Sequence, residues 1–167
     1  AIHYATDSRD PAMVTLAHEL GADVDVSDIQ GGTAALFAAY GGYDDVLIAL
    51  SEAGADLARR NESGGTAAHY AAMAGKPRVL RTLVNLGVDI TALSETDTGS
   101  SPLDEALGQG DVETVQCFIE CGVDLGYSYD FLDETNPEVA QHFENVLSSC
   151  TGFRGTILTT FEMHSIV

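Results

Sequence analysis

Between Tyr43 and Gly54 the hydrophobic positions keep a helical rhythm. In "YDDVLIALSEAG", Val46, Leu47, Leu50 and Ala53 fall three and four residues apart and form one apolar stripe, which predicts an amphipathic helix. Just upstream, "TAALFAAY" at 33–40 is rich in alanine. It predicts a short helix whose small side chains let neighbouring helices approach closely. Gly54 follows the stripe, and glycine is the residue that most readily takes the left-handed conformation ending a helix. "ADLARRNESGG" at 55–65 carries turn formers without helical period, so it predicts a connector.

The same order is written several times. "LGADVDV" at 20–26 recurs as "AGADLAR" at 53–59, "LGVDITA" at 86–92 and "CGVDLGY" at 121–127. Their glycines, Gly21, Gly54, Gly87 and Gly122, are spaced by 33, 33 and 35 residues. A second marker keeps this register: "GGTAALFAAYGG" at 31–42 returns as "GGTAAHYAAMAG" at 64–75, and Ser101 of "SSPLDEA" follows Thr66 by 35 residues. Two markers with one period identify a repeat array. A single helix pair cannot bury both of its faces, and stacking supplies the shared core.

These residues resemble the ankyrin repeat, whose consensus runs G-x-T-P-L-H-x-A-A and continues into a second helix ending in G-A-D. The resemblance covers residues 1–126, in repeats at about 1–30, 31–63, 64–98 and 99–126. It implies an all-α solenoid of helix-turn-helix units joined by hairpin-like connectors. The first repeat is truncated: "IHYAT" at 2–6 aligns with the end of the consensus opening, and "VTLAHELGAD" supplies the second helix. A start in mid-repeat carries the expectation that further repeats or a cap precede Ala1. The family's Pro-Leu is Ala34-Ala35 and Ala67-Ala68 here, and survives as Pro102-Leu103. Its histidine, which bonds around the threonine hydroxyl and the turn, is His3 and His69, but Leu36 and Asp104 stand there in the second and fourth repeats. Those two turns are expected to be held less firmly. The fourth connector, "ITALSETDTGSS", is two residues longer than its equivalents, so its tip should project further.

Beyond the array, residues 127–149 predict a connector and a capping helix. Asn136 is the N-cap, Pro137 the first helical residue, and Val139, Phe143, Val146 and Leu147 form a stripe suited to closing an exposed solenoid end. In 150–167 the period changes to alternation, with Ile157, Thr159, Phe161 and Met163 set against Thr160, Glu162 and His164. This predicts an extended apolar tail that folds back onto the array or adds to another protein.

Composition narrows the function. The chain has 167 residues, 45% of them hydrophobic, and 26 acidic against 7 basic side chains, a formal charge of −19. Such a surface repels phosphate backbones, which argues against nucleic acid and for a protein partner with basic character. No apolar run approaches the ~20 residues of a membrane-spanning helix. Three cysteines, Cys117, Cys121 and Cys150, are an odd, sparse set that reads as free thiols in a reducing intracellular compartment.

Candidate chemistry is sparse. Asp23, Asp25 and Ser27 have the first spacings of a calcium loop, but Asp28 and Ala34 replace its glycine and its final glutamate. Cys117 and Cys121 sit four apart on one helix face and lack two further zinc ligands nearby. The sequence has no P-loop, no H-E-x-x-H and no G-x-S-x-G. It reads as non-catalytic, without cofactor or metal.

What the resemblance implies is protein binding by the concave face of the first helices and by the connector tips. On this sequence the helix positions are Tyr4 and Asp7, Phe37 and Tyr40, Tyr70 and Met73, and Glu105 and Gln109. The tips are Ile29 and Gln30, Glu62 and Ser63, and Glu95, Thr96, Asp97 and Thr98. Ile157, Phe161 and Met163 of the tail complete the candidate surface. Aromatic residues serve interfaces and interior packing alike, so both uses stand open for these rings. Acidic tips around an aromatic centre suit a partner with an apolar patch rimmed by Arg or Lys. The expected role is a scaffold or peripheral subunit of a multisubunit assembly, or else the recognition domain of a larger enzyme or channel.

Overall fold

Thr33, Thr66 and Ser101 each stand in extended backbone immediately before a helix, the place where a hydroxyl can satisfy amide donors that the first turn leaves open. The computed structural model describes residues 2–94, 99–123, 145, 146 and 148–150. In chain order its helices are α1 (Ile2–Asp7), α2 (Pro11–Glu19), α3 (Ala34–Gly41), α4 (Asp44–Glu52), α5 (Ala67–Met73), α6 (Pro77–Asn85), α7 (Pro102–Gln109) and α8 (Val112–Glu120). Asn145, Val146, Ser148 and Ser149 are also helical. No strand occurs among the described residues, and none of their helices is long and apolar enough to cross a membrane.

The helices form two layers. Each first helix packs on the next, α1 on α3, α3 on α5 and α5 on α7; the second helices do likewise, α2 through α4 and α6 to α8. The first layer is cored by alanine: Ala34, Ala38, Ala67, Ala68, Ala71 and Ala72 are wholly buried, and a methyl group is all that fits where helix axes approach closely. The second layer carries the larger side chains, with Val46, Leu47, Leu50, Val79, Leu80, Leu83, Val115 and Phe118 at most 1% exposed. Each buried leucine or valine contributes about 1.5–3 kcal/mol relative to exposure. The stripe read from Val46, Leu47 and Leu50 is therefore the inward face.

Glycine ends the second helices as the period predicts. Gly54 has φ of +86°, and a Cβ there would meet nothing within 4 Å; its identity is set by backbone conformation, not by space. The turn closes by Ala55 N–H donating to Leu50 O at 2.9 Å. Gly21, Gly87 and Gly122 repeat both properties.

Units are also joined by hydrogen bonds. His69 Nδ1 accepts from Thr66 N–H at 3.1 Å and from the Thr66 hydroxyl at 2.9 Å, so its proton is on Nε2, which donates across to Ser100 O at 3.0 Å. His3 Nε2 reaches Gly32 O in the same way at 3.1 Å. In the second unit the cap is one-sided, with Leu36 N–H reaching Thr33 Oγ1 at 3.4 Å. The expectation of a weakly held turn is corrected for the fourth unit. Asp104 Oδ2 accepts from Ser101 N–H and from its hydroxyl, both at 2.7 Å, while Asp104 N–H donates to Ser101 Oγ at 3.2 Å. A carboxylate supplies the acceptor that imidazole supplies in the third unit, and so completes the same reciprocal cap.

At the far end, Val146 and Cys150 are buried within the common core, and the Cys150 thiol lies 3.8 Å from Val112 O. The expected helix start Asn136 and Pro137, the stripe residues Val139, Phe143 and Leu147, and the tail positions Ile157, Phe161 and Met163 lie outside the described residues.

Candidate functional site

The connector tips are built by one polar side chain repeated at the period. Asp28 Oδ1 accepts from Gln30 N–H and Gly32 N–H, each at 2.8 Å, and these two bonds hold its carboxyl below the usual carboxylate range. Asn61 Oδ1 accepts from Ser63 N–H at 3.1 Å and Gly65 N–H at 2.8 Å in the same arrangement. Across each tip the backbone closes too, with Asp28 N–H on Gly32 O, Asn61 N–H on Gly65 O and Ser94 N–H on Ser100 O at 2.8–3.0 Å. Successive tips touch. Glu62 N–H donates to Gln30 O at 3.3 Å, and a Cβ on Gly31, whose φ is +76°, would fall 2.8 Å from Glu62 N. Arg60 donates to Gly64 O in its own connector and to Leu93 O in the next.

Beside these tips runs the outer face of the first helices. Tyr4 is 82% exposed, Phe37 43%, Tyr40 53% and Met73 41%. Two of the rings pack between units and also keep solvent-exposed surface. Phe37 meets His3 edge-on at 5.5 Å, and Tyr40 meets Tyr70 edge-on at 6.3 Å; each pair spans two units, yet Phe37 and Tyr40 keep exposed surface. Tyr70 is half-buried, and its hydroxyl accepts from Asn61 Nδ2 at 2.9 Å.

Four of the sequence-chosen residues meet in one open cleft between the third and fourth units. Ser63, Tyr70, Met73 and Glu105 line about 200 Å³ together with Asn61, Gly65, His69, Ser94 and Ser100. Glu105 Oε1 accepts from the Ser100 hydroxyl at 3.3 Å. The remaining positions are spread along the face. Asp7, Gln30, Glu62 and Gln109 are exposed, and Ile29 is 93% exposed at the first tip. Glu95, Thr96, Asp97 and Thr98 of the longer connector lie outside the described residues. Sequence reasoning passed over Asn61, Ser94 and Ser100 as site residues. Asn61 and Ser94 share the 33-residue register of Asp28, and that period was the signal available for them.

The residues weighed for other chemistry have structural partners. Asp23 Oδ1 accepts from Asp25 N–H, and Asp25 Oδ1 from Asp56 N–H, both at 2.9 Å. All three cysteines are free. The Cys117 thiol is buried, donates to Pro77 O at 3.3 Å, and is pushed up to about 12, by burial first and by the neighbouring Cys121 next. Burial also raises Cys150. Among the described residues no cluster of three or more His, Cys, Asp or Glu side chains could hold a metal ion.

A family model described as "Ankyrin repeats (3 copies)" matches residues 2–94 and, in an overlapping register, 45–129, most of the chain. No curated protein matches the sequence significantly.

Proposed function

The chain belongs to the ankyrin-repeat family, whose members generally bind proteins and are generally non-catalytic, and from this we propose that it is a protein-interaction scaffold or peripheral subunit of a larger assembly. One observation carries the reading: Tyr4, Phe37, Tyr40 and Met73 keep between 41% and 82% exposure along successive first helices. Aromatic and methionine side chains held on rigid helices give large contact area at small entropic cost, as interface anchors do. The acidic tips around them, Asp28 and Glu62, with Asp7 and Glu105, suit a partner of basic or mixed basic and apolar surface. Ile157, Phe161 and Met163 are proposed as a second attachment. Three free thiols suit a reducing intracellular setting.

A second reading makes the array the recognition part of a larger enzyme or channel. Its support lies in α2 and its C-terminal cap, where Met13, Leu16 and the cap residue Leu20 are 44%, 46% and 80% exposed, although Val46 and Ala49, one period after Met13 and Leu16, are 1% and 5% exposed. A face that is stacked in later units and bare in the first suits a further element set against it.

Native pull-down of the full chain tests the first reading, beside a form lacking residues 152–167 and a Tyr40→Ala/Met73→Ala double variant. A stoichiometric set of partners, lost in either altered form, is the expected result. A monomeric chain with no stoichiometric partner at all would overturn it.

A further inference from the structure

We propose that the cleft between the third and fourth units receives an arginine side chain of the partner, a refinement that rests on the interaction reading above. Size is the first argument. At about 200 Å³ the cleft is smaller than the ~300–1,000 Å³ typical of small-molecule sites, so one side chain suits it better than a cofactor. Its walls are amphipathic. Tyr70 offers a ring fixed in place, edge-on against Tyr40 and tied by its hydroxyl to Asn61 Nδ2. Met73 adds a polarisable thioether, and Ser63, Ser94 and Ser100 contribute hydroxyls.

Charge is the second argument. Glu105 is half-buried in the lining and, among the described residues, accepts one hydrogen bond, at 3.3 Å, from Ser100, whereas an ionised carboxylate has about four acceptor positions. Among the described residues no cationic side chain lines the cleft; Arg60, at the adjoining tip, donates to the carbonyls of Gly64 and Leu93. A ligand anion would meet Glu105 uncompensated, and an aliphatic side chain would strip water from that carboxylate without replacing its hydrogen bonds. A cation gains from both Glu105 and the field of a chain with net charge −19. Between the two basic side chains, guanidinium fits better. It is planar, stacks on a tyrosine face, sheds water more readily than ammonium, and carries five donors for a carboxylate and several hydroxyls at once.

The test uses isotope-labelled full-length chain and four acetylated, amidated pentapeptides, Gly-Gly-X-Gly-Gly, with X as arginine, lysine, citrulline or leucine. The arginine peptide is expected to shift the backbone amides of Gly65, Tyr70, Ser100 and Glu105, and to bind at least five-fold more tightly than citrulline, its uncharged isostere. Glu105→Gln should abolish that preference, with its unshifted remaining spectrum reporting an intact fold. Asp45→Asn, at an exposed carboxylate on α4, should keep it. Leucine binding as tightly as arginine would overturn the proposal. So would arginine shifts spread over the acidic surface and indifferent to Glu105→Gln, the mark of unspecific attraction. In the pull-down, partners lost from Tyr40→Ala/Met73→Ala but retained undiminished by Glu105→Gln would overturn the arginine seat while leaving the interaction reading standing.

Discussion

Two replacements of His69 separate the two tasks of one imidazole ring. Alanine removes all three of its hydrogen bonds, to Thr66 N–H, to the Thr66 hydroxyl and to Ser100 O. Asparagine can still accept from Thr66 but is too short to reach the next unit. A hydrogen bond contributes about 1 kcal/mol net, and a buried donor left without a partner costs about 1–3 kcal/mol. His69→Ala should therefore cost about 3–4 kcal/mol and His69→Asn about 1–2 kcal/mol, read by urea unfolding with far-ultraviolet circular dichroism at pH 7.5. In a stacked array stability is a sum of unit and neighbour contributions. Losing the bond to Ser100 should accordingly broaden the transition and lower its urea dependence as well as its midpoint. The pH dependence is a second readout. Burial is the largest influence on His69 and lowers its pKa, opposed by the Ser100 carbonyl and Glu105. On acidification the unfolded chain therefore takes up this proton first, near the ordinary value of about 6.5. The contribution of His69 is complete above that pH and is lost as pH falls from there through the lowered folded value, since a second ring proton would collide with the N–H of Thr66. The stability difference between wild type and His69→Asn should be flat above about pH 7 and shrink below 6.5. Equal destabilisation by alanine and asparagine, or a cost for alanine below about 1 kcal/mol, would refute the assignment of separate roles.

Other expectations follow from single features. Gly54→Ala should cost about 1–2 kcal/mol for its left-handed backbone alone, whereas Gly31→Ala adds a collision at 2.8 Å with Glu62 N and should lower the thermal midpoint clearly further. Leu80→Ala, at a site with no exposure, should cost about 2–5 kcal/mol in urea unfolding, while Val84→Ala, 38% exposed on the same helix, should stay within about 0.5 kcal/mol. An aromatic disulfide reagent should label one thiol quickly in the native chain, the half-buried Cys121, and Cys117 and Cys150 only on unfolding; two or three fast thiols would contradict the burial described.

The architecture was legible because its causes are local and periodic. A glycine every 33 to 35 residues marks the stop of each second helix through φ alone, and Val46, Leu47 and Leu50 declare their face by spacing. Thr66 and His69 stand three apart and cap their own helix. What local pattern could not carry is anything created by stacking. The cleft draws residues from Asn61 to Glu105, and only the register of one unit against the next sets Met73 and Glu105 in one lining. The fourth turn was misjudged for a chemical reason. Family likeness called for imidazole, but the cap requires only an acceptor at the right reach, and Asp104 is one.

The links between neighbouring units differ on the two sides of the array. On the tip side they are hydrogen bonds to rigid backbone, from Glu62 to Gln30, Arg60 to Leu93 and His69 to Ser100. On the side of the second helices they are, among the described residues, leucine and valine contacts, a hydrogen bond from the Cys117 thiol to Pro77 O at 3.3 Å and two solvent-touched ion pairs, Arg78 with Asp44 at 3.2 Å and Arg81 with Glu120 at 2.8 Å, and such pairs yield readily to salt. The arrangement predicts one stiff edge and one compliant edge: under load the strip is expected to flex about the stitched margin, with the spacing of Phe37, Tyr40 and Met73 conserved while the opposite margin opens and closes. A partner gripping those side chains would feel a ruler of fixed divisions whose curvature alone is free to change.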